Sequence, residues 1–541
     1  MFPTTTPLFF AQDDIRVTKK LVLNLGLRWD VEDGRSERFN QLSYFDFTVP
    51  SPLAKLVPSL PNIRGGLKYV GVDGNPSRQF DTDKNNFGPR AGIVYSVNSN
   101  TVIRTGYGLL YEPFIGRSAS SGFGYTGFGA ITTWASSLDG ITPYRTLSNP
   151  FPDGLTRPPG SSLGLLMQTG DALGSDGTNG RDGAFDRSSV VGYIQQWNVT
   201  IQRGLPAGMA IEVAYVGNKG TKLADGGGFQ EDQLPPSAMA LGNQLLQTVA
   251  NPFFGIIRTG PLSAATTTYG QLLRPYPQYT NLLNFRPTAA SSIYHAMQLQ
   301  LNKRLSHGIQ FLASYTAGKA IDDSSNAVDF RGDLGGSGRH QDYYNRKADR
   351  SVSLNDISYR LVLSYVVDLP LGRGRTFGAH LNRWLDGVIG GWQVNGITTF
   401  QSGRPLIIEN ASNNANAYSD LQRPNVSGDP YLTPDRATQD KLTKWFNTSV
   451  FSQPAPFTFG NAPRILPNVR SDGMHNSDLS LFKNFAVREE MRFQLRAEFF
   501  NAFNTPQFGI PGQLFGTSSF GVVTASANSP RNVQIGIKFL F

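Results

Sequence analysis

Apolar and polar residues alternate one for one along much of this chain, in runs of about ten residues, the length at which a tilted strand crosses a bilayer. The clearest run lies near the C-terminus. Met491, Phe493, Leu495, Ala497 and Phe499 alternate with Arg492, Gln494, Arg496 and Glu498. Successive side chains of a strand point to opposite faces, so this segment predicts a strand with one greasy and one charged face. The chain ends in the same way, with Val533, Ile535, Ile537, Phe539 and Phe541 on one face and Gln534, Gly536, Lys538 and Leu540 on the other. A final apolar strand ending on an aromatic reads as the closing strand of a transmembrane β-barrel.

Thirteen strands follow from the same pattern. The first spans about 7–17 and turns at Thr18-Lys19-Lys20 into Leu21, Leu23, Leu25, Leu27 and Trp29. Later hairpins turn at Asn98-Ser99-Asn100, Pro206-Ala207-Gly208, His307-Gly308 and Arg488-Glu489-Glu490. A medium connection around Leu371 to Gly390 joins the strand of Leu361, Leu363 and Tyr365 to the strand of Trp392 and Val394. One strand is imperfect: Phe482 and Lys483 break the pattern begun by Leu479 and Leu481. Between hairpins lie long polar stretches at about 31–86, 114–192, 218–290, 321–352, 402–474 and 505–531. Short and long connections therefore alternate, the pattern of short periplasmic turns and long extracellular loops. The expected fold is all-β, a single antiparallel outer-membrane β-barrel domain over residues 1–541. Thirteen is odd, whereas bacterial single-chain barrels have even counts, so further strands are expected ahead of residue 7.

Composition agrees. Charged residues are 16% and hydrophobic residues 39%, both low for a globular chain, while Gly 58, Phe 36 and Tyr 20 enrich turn and strand formers. The net charge of +9 comes from scattered Lys and Arg with no run of four, so nucleic acid is not an expected partner. The absence of cysteine excludes disulfides, thiolate metal sites and Cys nucleophiles. No apolar run reaches the ~18–20 residues of a membrane helix. The PLFFA segment near the start is too short, and lacks the basic flank, for a signal peptide.

Several segments resemble TonB-dependent outer-membrane receptors of the Oar-like group. They are Phe10-Ala11-Gln12-Asp13-Asp14 through Asn24-Leu25-Gly26-Leu27-Arg28-Trp29; Gly391-Trp392-Gln393-Val394-Asn395-Gly396 to Gln401-Ser402-Gly403-Arg404-Pro405; Arg496-Ala497-Glu498-Phe499-Phe500-Asn501-Ala502-Phe503-Asn504; and Ser529-Pro530-Arg531-Asn532-Val533-Gln534. The matches span the chain and leave the long loops unmatched. The resemblance implies a 22-stranded barrel, a plug inside it, a periplasmic segment that binds TonB and, before the plug, a carboxypeptidase-regulatory-like domain. This chain would hold strands 10 to 22, as a C-terminal barrel fragment or one half of a split gene.

Candidate chemistry is sparse. Gly122-Phe123-Gly124-Tyr125-Thr126-Gly127 matches GxGxxG but lacks the strand–helix context of a dinucleotide site. Asp81-Thr82-Asp83-Lys84-Asn85 opens like a calcium loop, yet Asn86 replaces the glycine and Gly92 the bidentate Glu. His295, His307, His340, His380 and His475 form no HxxxH or HExxH, so no zinc site is expected. No GxSxG elbow is present. Neither an enzyme nor a cofactor is expected. Arg28, Arg104, Arg360, Arg492, Arg496 and Glu498 should line the lumen, as an ionic network or as a path for an anionic ligand. Trp29, Trp197, Trp392 and Tyr365 should form interfacial girdles. Phe123, Tyr125, Phe128 and Trp134 either pack within their own loop or grip a ligand. The expected function is a receptor barrel for TonB-dependent uptake of a scarce small-molecule or oligomeric ligand, such as a siderophore or glycan. Its expected partners are outer-membrane lipid, the barrel-assembly machinery, and TonB through a region N-terminal to this chain. A passive porin-like or structural barrel, and a secreted β-rich adhesin, are the alternatives.

Overall fold

The computed structural model describes residues 7–112, 124–132, 134–173, 184–225, 228–284, 287–324, 340–419, 421–488 and 491–541. Thirteen strands lie side by side in chain order in one antiparallel sheet. They are β1 (Leu8–Arg16), β2 (Leu21–Glu32), β3 (Asp83–Asn98), β4 (Thr101–Glu112), β5 (Gly192–Leu205), β6 (Met209–Ala224), β7 (Thr288–Ser306), β8 (Ile309–Asp322), β9 (Tyr359–Asp368), β10 (Trp392–Gln401), β11 (Met474–Arg488), β12 (Met491–Phe500) and β13 (Asn532–Leu540). A two-residue strand, Ser351–Val352, adds to the upper end of β8.

Register decides what this wall looks like. A slip of one residue would turn a whole strand inside out, and across the ladders no such inversion occurs. One row runs Phe539, Phe493, Phe485 from β13 to β11. Others run Leu481, Val394, Val367, Ile309 and Leu299, Val213, Ile201, Ile103, Tyr95, Leu21. The outward side is thus mainly apolar from β1 to β13, with Asp13 on β1 and a few basic residues such as Lys483 as exceptions. The inward rows carry Gln300, Glu212 and Gln202, or Ser480, Glu498 and Gln534. In hydrocarbon every backbone polar group needs a partner, and the twelve ladders supply one to each interior strand. Among the described residues β1 and β13 pair on one edge only and not with each other.

The turns at one end are tight for a local reason. His307 (φ 54°) and Gly308 (φ 74°) both lie in the left-handed region, as a two-residue hairpin turn matching the strand twist requires. Ala207 and Gly208 do the same between β5 and β6. The Leu371–Gly390 connection contains a short helix, α1 (Arg383–Ile389), capped by the Asn382 side chain, which accepts from the Leu385 amide at 2.9 Å. Helix α1 exposes Trp384, Leu385 and Val388 at this rim.

The two residues that broke the pattern keep to their faces. Lys483 stands on the outward side near this rim, where its ammonium donates to the Gly390 carbonyl and sits 5.5 Å from the Trp392 ring centre. Long cationic side chains reach to the interface in this way. Phe482 points inward and lies under the Arg496 guanidinium at 4.7 Å.

At the opposite rim the long connections fold together. Phe45, Leu67, Tyr69, Met167, Leu173, Tyr276, Tyr279 and Leu282 form one buried cluster from three connections. Leu234, Met239 and Leu245 pack on Ala415 and Ala417. Val352 and Leu354 pack on Ile407 and Ile465, and Phe446, Phe451 and Leu466 on Phe515 and Phe520. Each cluster shares a connection with another, so the long connections make one layer at this end of the wall. Small ladders, such as 43–50 with 64–69 and 405–407 with 465–470, stiffen it.

The two faces predict opposite responses to charge. Leu299→Arg, on the outward side of β7, should destabilise the folded wall by about 2–4 kcal/mol, while Gln300→Arg beside it should change stability by under about 1 kcal/mol. Urea unfolding of the refolded protein in lipid vesicles measures both.

Candidate functional site: the extracellular layer and the outward and inward walls

Charge is concentrated where the layer of long connections meets the wall. Asp225, immediately after β6, and Asp349, next to Ser351–Val352, are both fully buried. Between them stands His340, its Nε2 2.6 Å from Asp225 Oδ2 and its Nδ1 2.7 Å from Asp349 Oδ2. The second oxygen of Asp349 lies 2.9 Å from Arg423 Nη1. Arg464 donates to the Asp349 carbonyl at 2.8 Å and pairs with Asp322, the last residue of β8. Arg470 pairs at 2.5 Å with Asp356, which also accepts from the Ala320 amide at 2.6 Å. The 323–358 and 402–473 connections are thereby tied to the tops of β6 and β8.

Burial lowers the pKa of His340, but the two flanking carboxylates outweigh it and push it up to about 9. At neutral pH the ring is therefore an imidazolium that donates from both nitrogens. These charges tie the connections to one another and to the strand ends. A second buried pair, Asp232 and Arg274 at 2.8 Å, lies in the 225–287 connection. Burial pushes Asp232 up and Arg274 down, against their mutual attraction. Arg274 also donates to Gln271 Oε1 and the Thr280 carbonyl and lies over the Tyr418 ring at 4.3 Å. Beside Tyr418 a cavity of about 360 Å³ opens, lined by Leu245, Leu246, Asn413, Asn416 and Ser419.

The residues singled out by the sequence are dispersed. Arg28, Arg104, Arg360, Arg492, Arg496 and Glu498 all fall on the inward side, but on β2, β4, β9 and β12. Arg28 pairs with Asp30 at 2.7 Å, and Arg496 donates to Gln494 at 2.6 Å. Trp29 stacks outward between Phe9 and Phe87 at 5.5 and 5.7 Å. Trp197 and Tyr365 lie outward over Gly217 and Gly396, where a Cβ would approach their rings to 2.6 and 2.5 Å. Trp392 is outward beside Lys483. In the 113–191 connection, Gly122 and Phe123 lie outside the described residues. Tyr125 is buried with Leu42 and Tyr44, Phe128 packs edge-on against Tyr69, and Trp134 is exposed. Asp81 pairs with Arg187 at 2.5 Å, and Asp83 begins β3 and accepts from the Val191 amide at 3.0 Å. Of the histidines, His295 and His475 are outward near the rim of the long connections, and His340 is buried in the charge network. Val533, Ile535, Ile537 and Phe539 project outward on β13. Phe541 follows the strand, 92% exposed and stacked 5.7 Å from Phe539.

Sequence reading missed the charge network. Its members stand up to 142 residues apart, and each is an ordinary polar residue of a polar loop. The available hint is that Asp225, Asp322 and Asp356 sit within a few residues of strand ends.

Residues 2–534 match the family model of the outer membrane beta barrel domain. The chain belongs to that family. It is a protein of the bacterial outer membrane. No curated protein matches it. Similar solved structures include the ferripyoverdine receptor of the Pseudomonas aeruginosa outer membrane, at 10% identity and TM-score 0.40, with 100% of this chain and 39% of that one covered. The siderophore receptor PiuA of Acinetobacter baumannii gives 9% and 0.39, covering 100% and 44%. The Escherichia coli outer membrane transporter YddB gives 8% and 0.43, covering 100% and 54%. This outer-membrane chain thus spans about half or less of the length of these structures.

The charge network predicts a pH response. The His340 contribution is complete below its unfolded pKa of about 6.5 and is lost as pH rises through about 9. Protease cleavage of the extracellular layer on intact cells should therefore accelerate from pH 7 to pH 10. Asp225→Asn, which strands a buried charge at a cost of about 3–5 kcal/mol, should make cleavage fast already at pH 7.

Proposed function

We propose that this chain supplies wall strands and the extracellular layer of a receptor barrel for TonB-dependent uptake of a scarce ligand, such as a siderophore or a glycan. The observation that carries the proposal is the combination of a polar inward wall with a mouth covered by one continuous, charge-tied layer. Such a layer offers a shaped surface to a ligand arriving from outside, where a simple pore needs only constriction. The resemblance of the β1–β2, β10, β12 and β13 segments to Oar-like receptors supports the same reading. β13 is the proposed closing strand. Its free edge and that of β1 both need strand partners in lipid, and a 22-stranded barrel would provide them. Coupling to TonB belongs to a plug and periplasmic segment outside this chain. A passive channel is the second reading, favoured by the uncharged inward row of Gln298, Ala214 and Thr200.

Two measurements test this. Bacteria carrying the intact locus should grow on at least one ferric siderophore or oligosaccharide as sole iron or carbon source, in a manner lost on deleting either the locus or tonB. Dependence on the locus but not on tonB would favour the passive channel. For the closing strand, Ile537→Asp or removal of Phe541 should reduce the assembled, heat-modifiable protein in outer membranes several-fold, and Gln534→Asp should leave it unchanged.

A further inference from the structure

Near the extracellular rim the outward wall carries a cationic patch, distinct from Arg203, Lys303 and Lys483, which lie at the tight-turn end. Lys219 on β6 and Lys319 on β8 both project outward, on either side of β7, where His295 stands opposite Lys319. Each lysine lies ten residues above the first residue of its strand, Met209 or Ile309. That is about 34 Å along a strand and about 26 Å of height at a tilt of roughly 40°, which is the upper edge of an apolar band about 25 Å tall. Trp197 and Tyr215 lie just below, packed on His295, whose Nδ1 is 2.7 Å from the Tyr215 hydroxyl. The two lysines therefore stand at the depth of the outer-leaflet headgroups. Their strands are two spacings apart, roughly 10 Å, within reach of one doubly charged headgroup.

The next strand continues the feature. Tyr359 of β9 pairs with Ala317, two residues below Lys319. It forms the floor of a cavity of about 410 Å³ together with outward-facing His475, and with Tyr431, Trp445, Arg436 and Lys441 from the 402–473 connection. Lys441 belongs to a short helix, α2 (Thr438–Thr443). Aromatic faces beside donor groups are the equipment for holding a sugar ring. Arg436 donates to the main-chain carbonyls of Thr433, Asp440, Lys444 and Trp445, and no ion pair among the described residues engages it. No ion pair among the described residues engages Lys219, Lys319 or Lys441. Of the nearby carboxylates, Asp356 is committed to Arg470 and Asp472 to the Phe508 amide at 2.8 Å, while Asp435 and Asp440, next to Arg436 and Lys441 in sequence, form no ion pair with them among the described residues. The outward rows between Tyr193 and Tyr359 contain no acid.

Cations on a lipid-facing wall are costly unless they meet anionic headgroups. We propose that this patch binds a phosphorylated glycolipid of the outer leaflet, with its phosphates on Lys219 and Lys319 and a sugar ring in the Tyr359–Trp445 cavity. This is a site on the outside of the wall, separate from any ligand path through the mouth, so it stands whether or not the uptake proposal does.

The test uses the full-length protein extracted from its membrane and native mass spectrometry with bis-phosphorylated lipid A. Wild type should retain the lipid at least ten-fold more strongly than its dephosphorylated form. The Lys219→Gln, Lys319→Gln double variant should lose that preference while keeping heat-modifiable mobility. If the double variant does not assemble, Lys441→Gln, outside the membrane on α2, should still weaken retention several-fold. Equal retention of the two lipids, undiminished retention by the variants, or full displacement by millimolar inorganic phosphate would each overturn the proposal, the last by marking a site for free anions.

Discussion

Backbone hydrogen bonding in a solvent that offers none is the constraint on which this molecule depends. Unpaired amides and carbonyls in hydrocarbon cost several kcal/mol each, so the wall must be a continuous ladder. Once the ladder exists, register carries the rest. Because side-chain period is two, pairing Leu299 with Val213 and Tyr315 fixes the facing of every other residue on those strands. The outward band, the polar inner wall, and the positions of Trp29, Trp197 and Trp392 follow from that one choice. So does the depth of Lys219 and Lys319, which is set by counting along the ladder and by nothing local.

The layer of long connections obeys different rules. Above the membrane water returns, strands no longer need to continue, and stability has to come from burial and buried charge. β6 and β7 extend past their alternating stretches, to Ala224 and from Thr288, because their ladder continues where alternation no longer matters. Beyond them the connections exchange side chains. Tyr276 from one connection sits on Phe45 from another at 5.9 Å, and His340 joins Asp225 to Asp349. Charge pairs of this kind add little net stability relative to apolar contacts but are costly to break singly. They suit a layer of connections that must hold one shape.

This division also explains what could be read in advance. The thirteen strands and their facing were legible because lipid on one side and water on the other write a period of two into residues such as Met491 to Phe499. Lys483 and Phe482 broke that period only in polarity, since the snorkelling lysine and the arginine-stacked phenylalanine keep to their assigned sides. The loops carried no such signal. Short ladders such as 405–407 with 465–470, helix α1, and the His340 network arise from contacts between residues dozens to over a hundred positions apart. A single sequence gives no periodic trace of them. The residues around Tyr359 and Trp445 were unreadable for the same reason.

The account stands or falls on the two-faced wall. The chain contains no cysteine, so single cysteines can be placed at each position from Met297 to Asn302 on β7 and spin-labelled in a lipid bilayer. Power-saturation electron paramagnetic resonance then reports contact with oxygen, which concentrates in lipid, or with a water-soluble nickel chelate. The account predicts strict alternation, with positions 297, 299 and 301 accessible to oxygen and 298, 300 and 302 accessible to the chelate. Equal accessibility along the six positions, or the reverse phase, would contradict it.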